Sequence, residues 1–349
     1  MKIALQASPW NRVDLFEAAG FEVIEEAVST EDEFIDLLKQ ADGAEVSVIP
    51  RTSRRVLEAC PNLKVVSRMG VGVDSIDLDA ATELGILACN VPGVNTAEVA
   101  DHAMAMLLSH TRRIHDGSQT MRAGGWSEPG VRVEYVESVR RIAGHTVGII
   151  GFGDIGRAFA SRVRAFGPAK VVAYDPYVAP PTGEIFGVEM LSLEEVLSQS
   201  DFISIHCTST AETKHLINAQ TLDMMKPTAI LVNTSRGPVV DGAALADALE
   251  ANKIQAAALD VTEIEPIDPG DRLLKLDNCI VTPHVAGYSP TFLDECPRRQ
   301  AENVIRVLTG TAPHGLANPE VIKTIAVMRA STEPGRWDGV PDFSTALRL

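Results

Sequence analysis

Hydrophobic positions recur along this chain in two alternating rhythms. Over residues 1–100, short apolar runs (KIALQA, FEVIEE, AEVSVI, LKVVSRM) are separated by segments with three-and-four spacing (VDLFEAAG, EDEFIDLLKQA, SRRVLEAC). Strand-like runs alternating with helix-like runs predict an α/β fold with parallel sheets. From Thr96 to Ile114, TAEVADHAMAMLLSHTRRI places Val99, Ala103, Met106, Leu107 and His110 at helical spacing, with Asn95 or Thr96 as the cap and Glu98 in the first turn. A polar, glycine-rich stretch, GSQTMRAGGWSEPGVRVEYVESVRR, then breaks the rhythm without a period of its own, and an arm or lid is expected over residues 116–145. The alternation resumes with HTVGIIGFG, a helix from Ile155 to Phe166, KVVAYDP, LSLEEVLSQS, DFISIHC, TAILVNTS, GAALADALEAN, IQAAALDV and NCIVTPHVAG. These strand cores are short and almost continuously apolar, as in sheets covered by helices on both faces. After Ser289 a long helix, PTFLDECPRRQAENVIRVLTG, turns back, and the Pro/Gly-punctuated tail EPGRWDGVPDFSTALRL is expected to be loose.

Composition narrows the class. At 349 residues the chain exceeds what one core comfortably supports, so two lobes with a cleft are expected. A formal net charge of -16 opposes general affinity for nucleic acid or anionic membranes, because phosphate binding needs a basic face. The expected partner is a small molecule. Five cysteines without a C-x-x-C pair fit reduced thiols, and the N-terminus lacks the apolar run of a signal or membrane span, so a cytoplasmic location is expected. Eight histidines without H-E-x-x-H or paired Cys/His spacing predict no metal site.

Gly151, Gly153 and Gly156 in GFGDIG lie between the apolar strand TVGII and a helix. In that context the first glycine permits a tight turn, the second lets backbone approach a pyrophosphate, and the third allows close helix–strand packing. The next strand, VVAYD, ends at Asp175, nineteen residues beyond Gly156, where an acid accepts ribose hydroxyls and repels a 2′-phosphate. Lys170 precedes that strand, and Pro176 and Tyr177 stand where NADP sites carry arginine, so NAD is the expected cofactor.

Three further strand ends carry polar groups: Arg236 after AILVNTS, Glu265 after AAALDVTEIE, and His284 after NCIVTP. Ligands of open α/β sheets bind beyond the carboxyl ends of strands. Taken singly, Arg236 fits a structural ion pair and His284 a core histidine. Taken together they meet the needs of keto-acid reduction: a bidentate cation for the carboxylate and carbonyl, a proton donor, and a carboxylate that favours its charged form. Glu263 competes with Glu265 for the last role.

GFGDIG, NTSRG, LDVTEIEP and TPHVAG, in that order, resemble the D-isomer-specific 2-hydroxyacid dehydrogenase family, phosphoglycerate dehydrogenases included. The segments RMGVGVDSIDLDAATELGI and NVPGVNTAEVADHA extend the resemblance over nearly the whole chain. It implies NAD-dependent hydride transfer between nicotinamide and a D-2-hydroxy acid or 2-keto acid. By position, Arg236 would bind the substrate carboxylate and keto oxygen, His284 would shuttle the proton, and Glu265, which directly precedes Pro266, would pair with His284. Gly70, Val71 and Gly72 would offer backbone N–H groups to the substrate, and Asp154, Ile155, Thr208, Thr234, Ser235 and Asp260 would join the glycines and Asp175 around the cofactor. The implied architecture is two Rossmann-like or flavodoxin-like lobes: a substrate lobe of residues 1–100 and 288–349, and an NAD lobe of residues 101–287 inserted into it. A homodimer is implied as well, with the 116–145 arm as a partner contact. The run SEPGVRVEYVESVRRIAGHT departs from the family's short linker, and Val46-Ser47-Val48 stands where many phosphoglycerate dehydrogenases carry an arginine. NAD-sensing corepressors of the same fold are the alternative reading, disfavoured by the acidic charge and the lack of a basic or low-complexity partner-binding segment.

Overall fold

The structure, a computed structural model, describes residues 1–331 and 335–342. The chain divides into two compact units, Met1–Asn95 with Ser289–Leu349, and Thr96–Tyr288. In the first, strands β1 (Lys2–Gln6), β2 (Glu22–Glu26), β3 (Gly43–Val46), β4 (Val65–Arg68) and β5 (Leu87–Cys89) form a parallel sheet in the order β2-β1-β3-β4-β5. Register aligns Leu5, Glu45, Ser67 and Cys89 in one row. The helix Pro290–Leu308 covers this sheet, started by Ser289, whose side chain accepts from Phe292 N–H, with Pro290 opening the first turn. Its Val304, Val307 and Leu308 pack with Ile3, Leu5, Val65 and Leu87, and Gln300 Nε2 donates to the Ser67 carbonyl at 2.7 Å.

The tail departs from expectation. A helix, Val321–Ala330, precedes it, and Trp337 beyond is 2% exposed, its Nε1 donating to the Gly85 carbonyl at 2.9 Å. Arg336 donates to the carbonyls of Cys60 and Leu63. An aromatic and a guanidinium thus pin residues 335–342, while 333–334 and 343–349 of the predicted tail lie outside the described residues.

The second unit carries strands β6 (Thr146–Ile150), β7 (Lys170–Tyr174), β8 (Glu189–Met190), β9 (Phe202–Ile205), β10 (Ile230–Asn233), β11 (Ala256–Leu259) and β12 (Cys279–Val281), all parallel, in the order β12-β11-β10-β9-β6-β7-β8. From β6 the chain first winds one way through β7 and β8, then the other way from β9 to β12. The crevice between the ends of β6 and β9 is therefore the topological switch point, where ligands of such sheets bind. Two apolar layers cover the faces, one around Ile205, Leu231 and Leu245, the other around Ala103, Leu107, Phe159 and Val232. The long helix runs Thr96–Thr111 and packs against the helix Asp154–Arg164.

The stretch without a period is helical after all. Helices Ile114–Arg122 and Val131–Ser138 flank a short 3-10 turn, Gly125–Ser127. Neither helix buries a residue, which is why no core-facing stripe marks them in the sequence. Arg113 ties them together, bonding Asp116 (3.1 Å), Glu134 (3.1 Å) and Ser138 (2.8 Å).

Candidate active site

The glycine loop leaves β6 with Gly151 at φ +91°, and a Cβ there would collide with the backbone at Cys207, just past β9. A Cβ at Gly156 would strike the Gly151 carbonyl. Gly153, by contrast, faces open space and heads the helix Asp154–Arg164 without a side-chain cap. Two glycines are thus required by packing inside the protein, and the one between them exposes backbone where an anion can approach. Asp154 and Ile155 form the helix's first turn.

Asp175 follows β7 directly. Its Oδ2 accepts from Phe152 N–H at 2.8 Å and its Oδ1 from Tyr177 N–H at 2.9 Å. The carboxylate is locked against the glycine loop, and each oxygen keeps a lone pair for a ribose hydroxyl. The following residues, Pro176 to Ala179, include no base that would meet a 2′-phosphate. Thr234, past the end of β10, is buried with its hydroxyl unpartnered among the described residues, whereas Ser235 bonds Asn233 Oδ1 at 2.9 Å. Thr208 is exposed, and its carbonyl accepts from Thr213 Oγ1 at 2.7 Å. The set fits NAD: a bare helix start, an acid at the second strand's tip, and an orphaned hydroxyl.

His284 and Glu265 meet. His284 Nδ1 lies 2.7 Å from Glu265 Oε2, and Glu265 Oε1 accepts from Thr262 N–H at 3.1 Å. Burial pushes the Glu265 carboxyl up, but the bond to His284, its charge, the Thr262 N–H and the charge of Arg236 together leave it below the usual carboxylate range. Arg236 is therefore within electrostatic reach of the pair. Its NH1 donates to the Ser235 carbonyl at 2.8 Å, and Asn233 Nδ2 donates to the Arg236 carbonyl at 3.1 Å. The rival acid, Glu263, turns elsewhere and pairs with His215 at 2.7 Å.

The His284 loop owes its shape to Asp260, which is 1% exposed. Asp260 Oδ1 accepts from Thr282 Oγ1 (2.6 Å) and Val285 N–H (3.0 Å), Oδ2 accepts from Ala286 N–H (2.8 Å), and its carbonyl accepts from His284 N–H (2.8 Å). These bonds hold His284 in the left-handed region, φ 52°, rare for a residue with a Cβ. His102 joins the network, its Nε2 3.1 Å from Thr282 Oγ1 and 3.6 Å from Asp260 Oδ1. Sequence reasoning missed it; the available signal was a histidine inside an otherwise apolar helix. Another strand-end histidine, His206, is pushed by burial down to about 3 and stays neutral, its Nε2 2.9 Å from Ser204 Oγ, which removes it as a proton carrier.

In the first unit, Gly70, Val71 and Gly72 follow β4. Gly70 adopts φ +113°, its carbonyl accepts from Val91 N–H at 2.8 Å, and the Val71 carbonyl accepts from Asn90 Nδ2 at 2.7 Å. No group of three or more potential metal ligands occurs among the described residues, and no helix among them is long and apolar enough to cross a membrane.

The sequence profile of the D-isomer specific 2-hydroxyacid dehydrogenase, NAD binding domain, matches residues 104–286. A glyoxylate reductase of Korarchaeum cryptofilum is 39% identical over 302 residues, covering 86% of this chain and 89% of that protein. A D-3-phosphoglycerate dehydrogenase of Mycobacterium bovis is 38% identical over 305 residues, 85% of this chain but 56% of that protein, so the chain spans just over half of that relative's length. The crystal structure of a D-lactate dehydrogenase from Aquifex aeolicus, complexed with NAD and lactic acid, superposes with a TM-score of 0.78 at 30% identity, covering 93% of this chain and 98% of that one. Fold and site define an NAD-dependent oxidoreductase acting on 2-hydroxy acids. Within that class, the chain belongs to the D-isomer specific 2-hydroxyacid dehydrogenase family.

Proposed function

We propose that the chain interconverts a small 2-keto acid and its D-2-hydroxy acid, with His284 passing the proton. The observation that supports this reading is the 2.7 Å bond from His284 Nδ1 to Glu265, which orients the ring and leaves the proton transfer to its other nitrogen, Nε2. NAD, when bound at Gly151–Gly156, Asp175 and Thr234, supplies the hydride acceptor or donor. Arg236 grips the carboxylate and polarises the keto oxygen, and Glu265 stabilises the imidazolium in the reductive direction. The Gly70–Gly72 backbone adds N–H contacts to the carboxylate, and Asp154, Ile155, Thr208, Ser235 and Asp260 complete the cofactor surroundings. The glyoxylate reductase relative and the absence of arginine at Val46-Ser47-Val48 favour an unphosphorylated substrate. The helices at Ile114–Arg122 and Val131–Ser138 carry exposed Trp126, Val133 and Val136 in their neighbourhood and serve as the contact of a homodimer, in the cytoplasm.

The test is NADH oxidation with glyoxylate, hydroxypyruvate, pyruvate, phosphohydroxypyruvate and branched keto acids. Wild type should turn over at least one of them. His284→Ala should lower kcat by about 100-fold or more while NADH still binds, and Arg236→Ala should chiefly raise KM for the keto acid. Undiminished turnover in His284→Ala would refute the proton role.

A further inference from the structure

Another exposed histidine–carboxylate pair lies in the same unit. His215 Nε2 is 2.7 Å from Glu263 Oε1, and its Nδ1 is 3.9 Å from Asp241 Oδ2. Pairs this exposed add little to stability, so its meaning depends on what its two ends are attached to. His215 adopts φ 50°, and its N–H donates to the Pro238 carbonyl at 2.8 Å. Ile217 N–H donates to Val239 at 3.0 Å, and Asp241 N–H donates back to Ile217 at 2.8 Å. Residues 215–217 therefore run as a short ladder beside the segment that directly follows Arg236.

Glu263 sits in the loop that presents Glu265. Beside it, Thr262 gives its N–H to Glu265 Oε1 at 3.1 Å and its hydroxyl to the Ile264 carbonyl at 2.8 Å, closing the loop on itself. The Thr262 carbonyl also lies so close to Gly237 that a Cβ there would collide with it. One residue consequently grips two loops. The His215 backbone holds the turn after Arg236, and its imidazole holds the loop of Glu265.

We infer that His215, through Glu263, is a positioning residue that keeps Arg236 and Glu265 in register for the reaction. This rests on the catalytic reading above. The pair touches neither His284 nor the cofactor loop in the contacts described, so its effect passes through the placement of Glu265. Small displacements of a catalytic group carry large rate penalties, and such a tether acts on kcat more than on binding.

The test measures kcat, KM for NADH, NADH-binding stoichiometry and amide hydrogen exchange in a peptide spanning residues 260–266. His215→Ala should lower kcat about tenfold, leave KM for NADH and stoichiometry unchanged, and speed exchange in that peptide. His215→Gln, whose amide can still donate to Glu263, should recover most of the rate and protection. Glu263→Ala should match His215→Ala, and the double variant should be no worse than either. Unchanged exchange in His215→Ala overturns the tether, and faster exchange with wild-type kcat overturns its positioning role. Failure of the catalytic reading looks different: wild type is silent toward every keto acid, or His284→Ala is fully active, while exchange still reports on the tether.

Discussion

Glu45 offers a test of the first unit that needs no ligand. It lies in β3, 3% exposed, and neither carboxyl oxygen has a hydrogen-bond partner among the described residues. Gly43, two residues earlier on the same face, points at Val304 of the helix Pro290–Leu308, so Glu45 is held under that helix. Burial, aided by the charge of Glu25, pushes its carboxyl from an ordinary 4.5 up to about 8. Between those values the folded chain holds a proton that the unfolded chain has released, so stability falls as pH rises through the window. A window of roughly 3.5 pH units, at about 1.4 kcal/mol each, amounts to about 5 kcal/mol, of which about 3 is lost by pH 7. Glu45→Met keeps the side chain's length without an ionisable group. Its advantage over wild type should therefore be small near pH 5 and grow by about 4 kcal/mol up to pH 8, a widening of roughly 10 °C in thermal midpoint. Calorimetry of both proteins at pH 5, 6, 7 and 8 at one ionic strength measures it. Glu45→Gln, uncharged throughout, should show the same pH trend. A gap that stays constant across this range refutes the buried, protonated carboxyl.

Two further outcomes follow from the nucleotide-binding unit. Glu265 is held below its usual range, so its bond to His284 contributes stability that is present above the unfolded carboxylate pKa and lost as pH falls through the folded one. Glu265→Gln, which removes the charge beside His284, should lower kcat with NADH binding preserved; an unchanged kcat counts against the pairing. Gly156→Ala drives a Cβ into the Gly151 carbonyl and should both weaken NADH binding and cost about 1–3 kcal/mol of stability, read by fluorescence titration and thermal melting. Wild-type values in both assays would show that the helix can yield there.

Periodicity reports contrast between core and solvent, and the features that create such contrast were legible. The apolar runs before Gly151, Asp175 and Arg236 are strands β6, β7 and β10, and polar residues at strand ends stood out against them. Other features leave no period. Strand β5 is three residues long, and the helix Val321–Ala330 buries only Val321 and Ile325. The arm helices bury nothing, so their turns look like loop sequence. Trp337 reads as an isolated aromatic until Gly85 is brought to it from 252 residues away. His102 and His215 gain their meaning from partners 180 and 48 residues distant, a relation that spacing along the chain does not encode. Glu45 went unremarked inside the apolar run AEVSVI, and only the sheet and the covering helix show that it has nowhere to place its charge.

The double attachment of Asp175 bears on any attempt to redesign this protein for phosphorylated nicotinamide cofactors. The usual first step, trimming the acid to make room for an extra phosphate, would here also cut the bond to Phe152 that keeps the glycine turn in shape. Selectivity and loop integrity share one carboxylate, so a successful exchange must bring in a neutral acceptor of similar reach, such as asparagine, before a base is added nearby. Alanine at this position should yield a poorer enzyme for both nucleotides rather than one with a changed preference.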